Sequence, residues 1–222
     1  MEVEIIGANS AFAAEGLNSS LFIRHLDQFI VADCGYNIYP RLKELGFTST
    51  INAVLLSHLH QDHCGSAVTL LEDILLNQKR QVYIGGTDWQ PLLKACEESG
   101  FADLLMTENL PFELETIKVP HGKGMDCRAL FINRRLLYSG DSAISLLDTP
   151  QAAAAALIVH DAGMKSGIPH AYIQDLAKAR PEIKAKTLLI HYLPQNYRQL
   201  AAMAKDYGFK GVARAGDIYS LA

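Results

Sequence analysis

One stretch decides how this chain folds and what it can bind: Val54-Leu-Leu-Ser-His58-Leu-His60-Gln-Asp62-His63-Cys-Gly65. Its apolar start is typical of a buried strand, and the periodic apolar residues that follow Gly65 indicate a helix. Three histidines and an aspartate therefore occupy a strand-to-helix connection, a place where binding and catalytic groups gather. In an extended segment His58 and His60 project to the same side, which suits two imidazoles on one metal ion. Asp62 and His63 are adjacent and must diverge, so they fit a second ion or a role in proton transfer.

The same stretch could instead be a solvated polar loop, or it could place ordinary hydrogen-bonded histidines in the core. A single histidine would favour that interpretation. Four potential ligands within six residues favour a metal site, because imidazole and carboxylate are the groups that bind zinc.

The composition is that of an ordinary globular protein. A length of 222 residues suits one domain spanning residues 1–222, and 49% of the residues are hydrophobic while 20% are charged. No apolar run approaches the roughly 20 residues needed to span a bilayer, and the N-terminus lacks the pattern of a secretory signal. The four cysteines are widely spaced and form no CxxC pair. These features predict a cytoplasmic protein without membrane contact.

The charge balance limits the choice of substrate. The formal net charge is −4, and the lysines and arginines are scattered along the chain. Nothing resembles the basic stripe with which a protein grips a long phosphate backbone. The sequence therefore argues against a long structured RNA and is compatible with a small anionic substrate.

Apolar periodicity and turn residues predict the elements along the chain. Strands are predicted at residues 3–6, 20–23, 29–32, 54–56, 81–84, 112–119, 128–132, 135–138 and 187–190, with a terminal strand pair within 212–221. Helices are predicted at residues 38–45, 66–78, 87–98, 172–179 and 195–207. Residues 152–159 begin as an alanine-rich stretch and finish as an apolar strand. The strands come first as a meander and later alternate with helices, which predicts two layered sheets with helices outside.

Further histidines and an aspartate follow other predicted strands. His121, His160 and His191 each come after an apolar strand, Asp141 follows another, and His170 begins a helix. Strand ends that carry such groups converge at one edge of a sheet, where binding sites form. Imidazole suits zinc and carboxylates can bridge two ions, so these positions predict a dinuclear zinc site.

The ordered set His58-x-His60-x-Asp62-His63, His121, Asp141 and His191 resembles the ligand motif of the metallo-β-lactamase superfamily. The resemblance implies an α/β fold, an αββα sandwich of two mixed sheets flanked by helices, with two zinc ions at one edge. It implies that His58, His60 and His121 hold one ion. The other ion would be held by Asp62, His63 and His191, with Asp141 bridging the two. Manganese or iron in place of zinc stays open.

Departures from individual branches narrow the resemblance. Common dizinc β-lactamases have a cysteine at the position of Asp141, and flavodiiron proteins have a glutamate at the position of His60. Glyoxalase II enzymes share all seven ligands but add a helical C-terminal domain, whereas about 30 residues follow His191 here. The chain is more similar to the ribonuclease Z-like phosphodiesterases, which carry a His-Glu pair after a strand and a later histidine before a helix. The pairs His160-Asp161 and Pro169-His170 stand at those places, with aspartate substituted for the glutamate.

The resemblance also suggests roles. Asp161 would orient His170, which would stabilise the phosphate or protonate the leaving alkoxide, and Asp62 is a catalytic candidate as well as a ligand. The candidate substrate-binding residues are His160 and Lys123, with Arg128 and Lys165 as further cations for the phosphate.

The sequence thus predicts a dizinc phosphodiesterase in which a metal-bridging hydroxide attacks a small or flexible phosphodiester, such as a cyclic nucleotide. The alternative is a ribonuclease Z-type tRNA 3′-processing endonuclease that acts as a homodimer. Bacterial members of that type carry a long arm, whereas here only 20 positions separate His121 from Asp141. A glyoxalase II-like thiolester or lactone hydrolase is the second alternative.

Overall fold

Two mixed β-sheets form the centre of the fold in the computed structural model, which describes residues 1–98, 100, 105–167 and 169–221. The strands of the first sheet are β1 (Glu2–Gly7), β2 (Ser20–His25), β3 (Gln28–Ala32), β4 (Ala53–Leu56), β5 (Val82–Gly86), β6 (Leu105–Met106) and β13 (Ile218–Ser220). The strands of the second sheet are β7 (Leu114–Lys118), β8 (Arg128–Ile132), β9 (Leu136–Tyr138), β10 (Leu157–Asp161), β11 (Thr187–Ile190) and β12 (Gly211–Val212).

Strand direction places the ends of the strands that precede the predicted site residues at one edge of each sheet. The first sheet has the order β13-β1-β2-β3-β4-β5-β6, antiparallel from β13 to β3 and parallel from β3 to β6. The second has the order β12-β11-β10-β9-β8-β7, antiparallel from β7 to β9 and parallel from β9 to β12. Since parallel strands end at the same edge, the segments after β3, β4, β9, β10 and β11 open side by side.

Helices cover the outer faces of the sheets. They are α1 (Ile38–Glu44), α2 (Gln61–Cys64), α3 (Ala67–Glu72), α4 (Gln90–Glu98), α5 (Pro150–Ala154), α6 (Ile173–Leu176), α7 (Pro181–Lys184) and α8 (Tyr197–Tyr207). A π-helical turn at Asp73–Asn77 continues α3, and single 3₁₀ turns lie at Phe47–Ser49 and Pro194–Asn196. No helix in the described part of the chain combines the length and the apolar character needed to cross a bilayer.

Alternation along the strands divides the apolar residues between two layers of core. Leu55 belongs to the apolar cluster that the second sheet completes with Leu130 and Tyr138. Its neighbour Val54 belongs to a separate cluster with helical residues such as Leu70. Successive strand residues face opposite sides, and both sides of this sheet are covered, so β4 is apolar throughout.

The predicted fold is confirmed, with local corrections. Asn133 and Arg134 both adopt positive φ angles of 49° and 53°, as a tight hairpin between β8 and β9 requires. The predicted terminal strand pair is wrong, because β12 joins β11 in the second sheet while β13 joins β1 in the first. The predicted helix at 66–78 ends its α-helical part at Glu72 and continues as the π-helical turn.

Candidate metal centre

The opening stretch reaches the sheet edge in two conformations. Ala53–Leu56 is a buried strand, and the chain stays extended to His60, whose ψ angle is 147°. Residues Gln61–Cys64 then form one helical turn, which turns Asp62 and His63 away from the preceding histidines. His191 follows β11 with a φ angle of 67°, a conformation that costs a non-glycine residue energy outside turns and that recurs at functional sites. Its backbone N–H donates to the carbonyl of Ala8.

The first group of potential ligands contains three histidines and Asp141. The Nε2 atoms of His58 and His121 lie 3.0 and 3.1 Å from Nδ1 of His60. The same two Nε2 atoms lie 3.8 and 3.3 Å from Oδ2 of Asp141. Two ligands that are each about 2.0–2.1 Å from one tetrahedral ion are separated by about 3.3 Å. The spacing is therefore suitable for four donors around one ion.

The second group contains Asp62, His63, His191 and the same Asp141. The Nε2 atom of His63 lies 3.4 Å from Oδ2 of Asp62 and 3.3 Å from Oδ1 of Asp141. The Nε2 atom of His191 lies 3.4 Å from Oδ2 of Asp141 and 3.8 Å from Oδ2 of Asp62. Because Asp141 belongs to both groups and presents both carboxylate oxygens, the arrangement is typical of a binuclear metal site.

Unpaired polar atoms and unbalanced charge show that metal ions fit here. Nε2 of His63 and Oδ1 of Asp141 are buried and lack hydrogen-bond geometry to any described partner. Four aspartates are buried around the site, whereas no lysine or arginine is among the buried residues of the described chain. The buried aspartates are Asp33, Asp62, Asp141 and Asp161. Buried charge is costly without a counter-charge, and metal cations would provide it.

The protonation states of His58, His191 and Asp141 agree with this interpretation, whereas His63 would release a proton on binding a metal ion. Burial lowers the pKa of His58 and of His191, so both imidazoles are neutral at pH 7, which is the form that binds a metal ion. Burial acts in the same direction on His63, but the charges of Asp141 and Asp33 overcome it and raise that pKa well above its usual value. Burial acts to raise the pKa of Asp141, yet its interactions with His191 and His63 hold that pKa well below its usual range.

Asp33 orients a ligand without belonging to either ligand group, and the sequence did not predict this role. It directly follows β3 and is fully buried. Oδ1 accepts the backbone N–H of Ser57 at 2.7 Å. Oδ2 accepts hydrogen bonds from Ser57 Oγ at 2.8 Å, from Nδ1 of His63 at 2.7 Å and from the Tyr138 hydroxyl at 2.8 Å. The bond to Nδ1 leaves Nε2 of His63 free to bind a metal ion. The sequence feature that could have indicated Asp33 is its position directly after a strand, which it shares with the predicted ligands.

The other ring nitrogens of the histidines are also positioned. Nδ1 of His191 lies 3.2 Å from the Ser19 hydroxyl. Nδ1 of His121 lies 2.6 Å from the carbonyl oxygen of Pro169, so this ring donates to the segment that carries His170. Such partners fix the orientation of a ligand ring.

His170 and Asp161 form a pair beside the two groups, as the resemblance predicted. Nδ1 of His170 lies 3.1 Å from Oδ2 of Asp161 and 3.8 Å from Oδ2 of Asp141. His170 lines a cavity of about 530 Å³, and His60, Asp62, His121, Asp141 and His191 line the same cavity. His170 and five of the predicted ligands therefore line one accessible space, whereas His58, His63 and Asp161 are buried behind it.

Two predicted substrate-binding residues lie elsewhere. His160 is fully buried, its Nε2 accepts the backbone N–H of Leu146 at 3.1 Å, and its Nδ1 lies 2.8 Å from the carbonyl oxygen of Asp161. Nδ1 also lies 3.1 Å from Oδ1 of Asp161, so both ring nitrogens are engaged within the protein. Lys123 is exposed and is not among the residues that line the cavity.

The two further cations are also outside the cavity lining. The guanidinium group of Arg128 is held by Asp126, with its Nε 2.9 and 3.0 Å from the two carboxylate oxygens. Lys165 is exposed on the segment after β10. The positive charge around a bound phosphate would therefore come from metal ions.

Comparisons with known proteins add a family and a fold. A model of the family described as anti-Pycsar protein Apyc1 matches residues 1–93 and 103–219. The anti-Pycsar protein Apyc1 of Paenibacillus sp. (strain J14) is 26% identical, over 86% of this chain and 89% of that protein. The metallo-β-lactamase fold protein YhfI from Bacillus subtilis is 20% identical, with a TM-score of 0.76 over 98% of both chains. Human tRNase Z, short form (ELAC1), is 16% identical, with a TM-score of 0.71 over 100% of both chains.

The structural similarities confirm the predicted metallo-β-lactamase fold, since identities this low carry information about the fold alone. The family match covers nearly the whole chain, including every residue of the two ligand groups. The family match assigns the chain to a narrower group than the ribonuclease Z-like branch that the sequence predicted. The chain belongs to the anti-Pycsar protein Apyc1 family, whose members are hydrolases of the metallo-β-lactamase fold.

Proposed function

We propose that this protein is a binuclear-metal phosphodiesterase that opens the ring of cyclic nucleotides. Membership in the Apyc1 family supports an enzyme that degrades cyclic nucleotides. The observation that carries the proposal is the location of His170, which is held by Asp161 and lines the same cavity as members of two ligand groups that share Asp141. This combination offers metal sites for a phosphate together with a separate proton donor for a leaving oxygen.

His58, His60 and His121 would hold one ion, Asp62, His63 and His191 the other, and Asp141 would contact both. Zinc is the metal that these donors suit, because each group offers four imidazole and carboxylate ligands, three imidazoles in the first group and two in the second, which matches its tetrahedral preference. When bound, two such ions supply a nucleophilic water at neutral pH and positive charge for the phosphate. Manganese and iron are tested against zinc by the measurement of metal content below.

His170 acts as the general acid. Opening a cyclic phosphodiester forms a bond from a water oxygen to phosphorus and breaks a bond from phosphorus to a ribose oxygen, which must take up a proton. Burial acts to lower the pKa of His170, but its hydrogen bond to Asp161 and the charge of Asp141 raise that pKa, which keeps the proton available near neutral pH. Asp161 is itself fixed, since it accepts the backbone N–H of Ser142 at 3.2 Å.

Asp62 has a second role in this proposal. Its side chain lines the cavity, and its Oδ2 lies close to both His63 and His191. Desolvation acts to raise its pKa, yet the contact with His63 keeps the pKa below its usual value, so the group is a carboxylate that can accept a proton or a hydrogen bond from the attacking water. These roles for Asp62, Asp161 and His170 are the ones that the resemblance to ribonuclease Z-like phosphodiesterases implies.

The test compares four substrates on one preparation. Purified protein is analysed for metal content and then assayed with a cyclic nucleotide, bis-p-nitrophenyl phosphate, precursor tRNA and S-lactoylglutathione. We expect about two zinc ions per chain and hydrolysis of the cyclic nucleotide to a nucleoside monophosphate. Hydrolysis of the thiolester alone would refute the proposal, and cleavage of precursor tRNA alone would favour the tRNA-processing alternative. The predicted homodimer is checked by light scattering on the same sample.

A further inference from the structure

Phe12 is an unusual residue for the rim of a cavity. Its side chain is 92% exposed, more than any other large apolar side chain that the described residues expose. It nevertheless lines the cavity that contains the metal-binding groups. A ligand that covers such a ring removes a large apolar area from water, which stabilises the bound state.

The backbone holds Phe12 in place. The N–H of Ala13 donates to the carbonyl of Ser10 at 3.2 Å, which closes a β-turn with Phe12 at its third position. The Tyr36 hydroxyl donates to the carbonyl of Ala11 at 2.9 Å, and the N–H of Ser10 donates to the carbonyl of Tyr192 at 3.2 Å. The turn is therefore tied to two other parts of the chain, so the ring is presented by a fixed support.

The cavity has two chemically different parts. The metal-binding groups supply a site for an anion, whereas Phe12, Met164 and Leu193 supply apolar side chains. No lysine or arginine is among the residues that line it. A cyclic nucleotide has the same division, with an anionic phosphodiester at one end and a flat aromatic base at the other.

We propose that Phe12 is the stacking surface for the base of the cyclic nucleotide, and that it determines specificity for nucleotides over other cyclic phosphodiesters. This inference rests on the proposed function, because it needs the phosphodiester to be held by the metal-binding groups. Tyr36 is a positioning residue, since its hydroxyl acts through the carbonyl of Ala11.

The experiment compares two substrates that differ only in the base. One is 3′,5′-cyclic AMP, and the other is the 3′,5′-cyclic phosphate of methyl riboside, in which a methoxy group replaces adenine. For Phe12→Ala we expect kcat/KM for cyclic AMP to fall by about fivefold or more, the loss that follows removal of one base–aromatic stack. The same variant keeps its kcat/KM for the base-free substrate. Phe12→Tyr, which retains the ring, keeps both.

Two further variants separate stacking from a general effect on the fold. Leu26 is 87% exposed and is not among the cavity-lining residues, so Leu26→Ala is the matched control and leaves both substrates unaffected. Tyr36→Phe keeps its own ring but releases the carbonyl of Ala11, and it lowers kcat/KM for cyclic AMP by a smaller factor than Phe12→Ala does.

Failure of this inference can be told apart from failure of the proposed function. If the wild-type protein hydrolyses both substrates and Phe12→Ala changes both by the same factor, or neither, the stacking role is wrong and the phosphodiesterase stands. If metal-loaded wild-type protein hydrolyses neither substrate, the proposed function is wrong and the stacking role is overturned with it.

Discussion

Replacing Asp33 by asparagine should weaken metal binding although residue 33 belongs to neither ligand group. Asparagine has the shape of aspartate but carries an NH₂ group in place of one oxygen. Its remaining oxygen would accept the backbone N–H of Ser57, as Oδ1 of Asp33 does. The NH₂ group would then face Nδ1 of His63, which now donates to Oδ2 at 2.7 Å. Two donors cannot pair, so the proton of His63 would move to Nε2, and that nitrogen would lose the lone pair that binds the ion.

The expected size of the effect follows from the geometry. Loss of a partner that orients a ligand histidine costs about 10–100-fold in metal affinity, or about 1.4–2.8 kcal/mol. Asp33→Ala would be less informative, because it leaves four buried donors without an acceptor at about 1 kcal/mol or more each. A loss of about 4 kcal/mol is a large part of the stability of an ordinary domain, and the variant would be partly unfolded.

Zinc titration against a chromophoric chelator, with metal counted by mass spectrometry, measures the effect. The wild type should bind two ions, and Asp33→Asn should bind the second ion 10–100-fold more weakly while keeping its circular dichroism spectrum. Tyr138→Phe is the matched control, because it removes another donor to Oδ2 and leaves the bond to His63 intact. It should cost about 0.5–1.5 kcal/mol of stability and leave zinc binding unchanged. Wild-type affinity for both ions in Asp33→Asn would refute the reasoning.

Three other substitutions test the remaining roles. Asp141→Ala should lose both ions and all activity, since this carboxylate is shared between the groups, and retention of two ions on metal analysis would contradict that role. His170→Ala should keep both ions but lower kcat for a poor leaving group by about 10²–10⁴-fold, and full activity on such a diester would exclude the general-acid role. His160→Ala should lower the urea midpoint, because it leaves the N–H of Leu146 unpaired, and a raised KM at unchanged stability would restore the substrate-binding prediction.

The sequence was informative wherever chemistry and local geometry coincide. Four ligands stand within six residues, and the others follow apolar strands, so parallel strand ends alone brought them to one edge. It could not indicate that the ring of His160 is enclosed by the backbone of Leu146 and Asp161, because such contacts are decided by tertiary packing. His160 is therefore enclosed in the protein, whereas Asp161 contacts His170. Asp33 depends on a hydroxyl 105 positions away, a contact that no local pattern predicts.

The contact between His121 and the carbonyl of Pro169 joins two functions. One end of this link is a ring in the first ligand group, and the other end is the residue just before the proton donor. An ion that fixes the imidazole of His121 would therefore also brace the loop that delivers the proton. Binding of that ion would therefore supply positive charge for the phosphate and also hold the acid near the leaving oxygen. An enzyme that lacks this ion would lose both the charge and the alignment of His170.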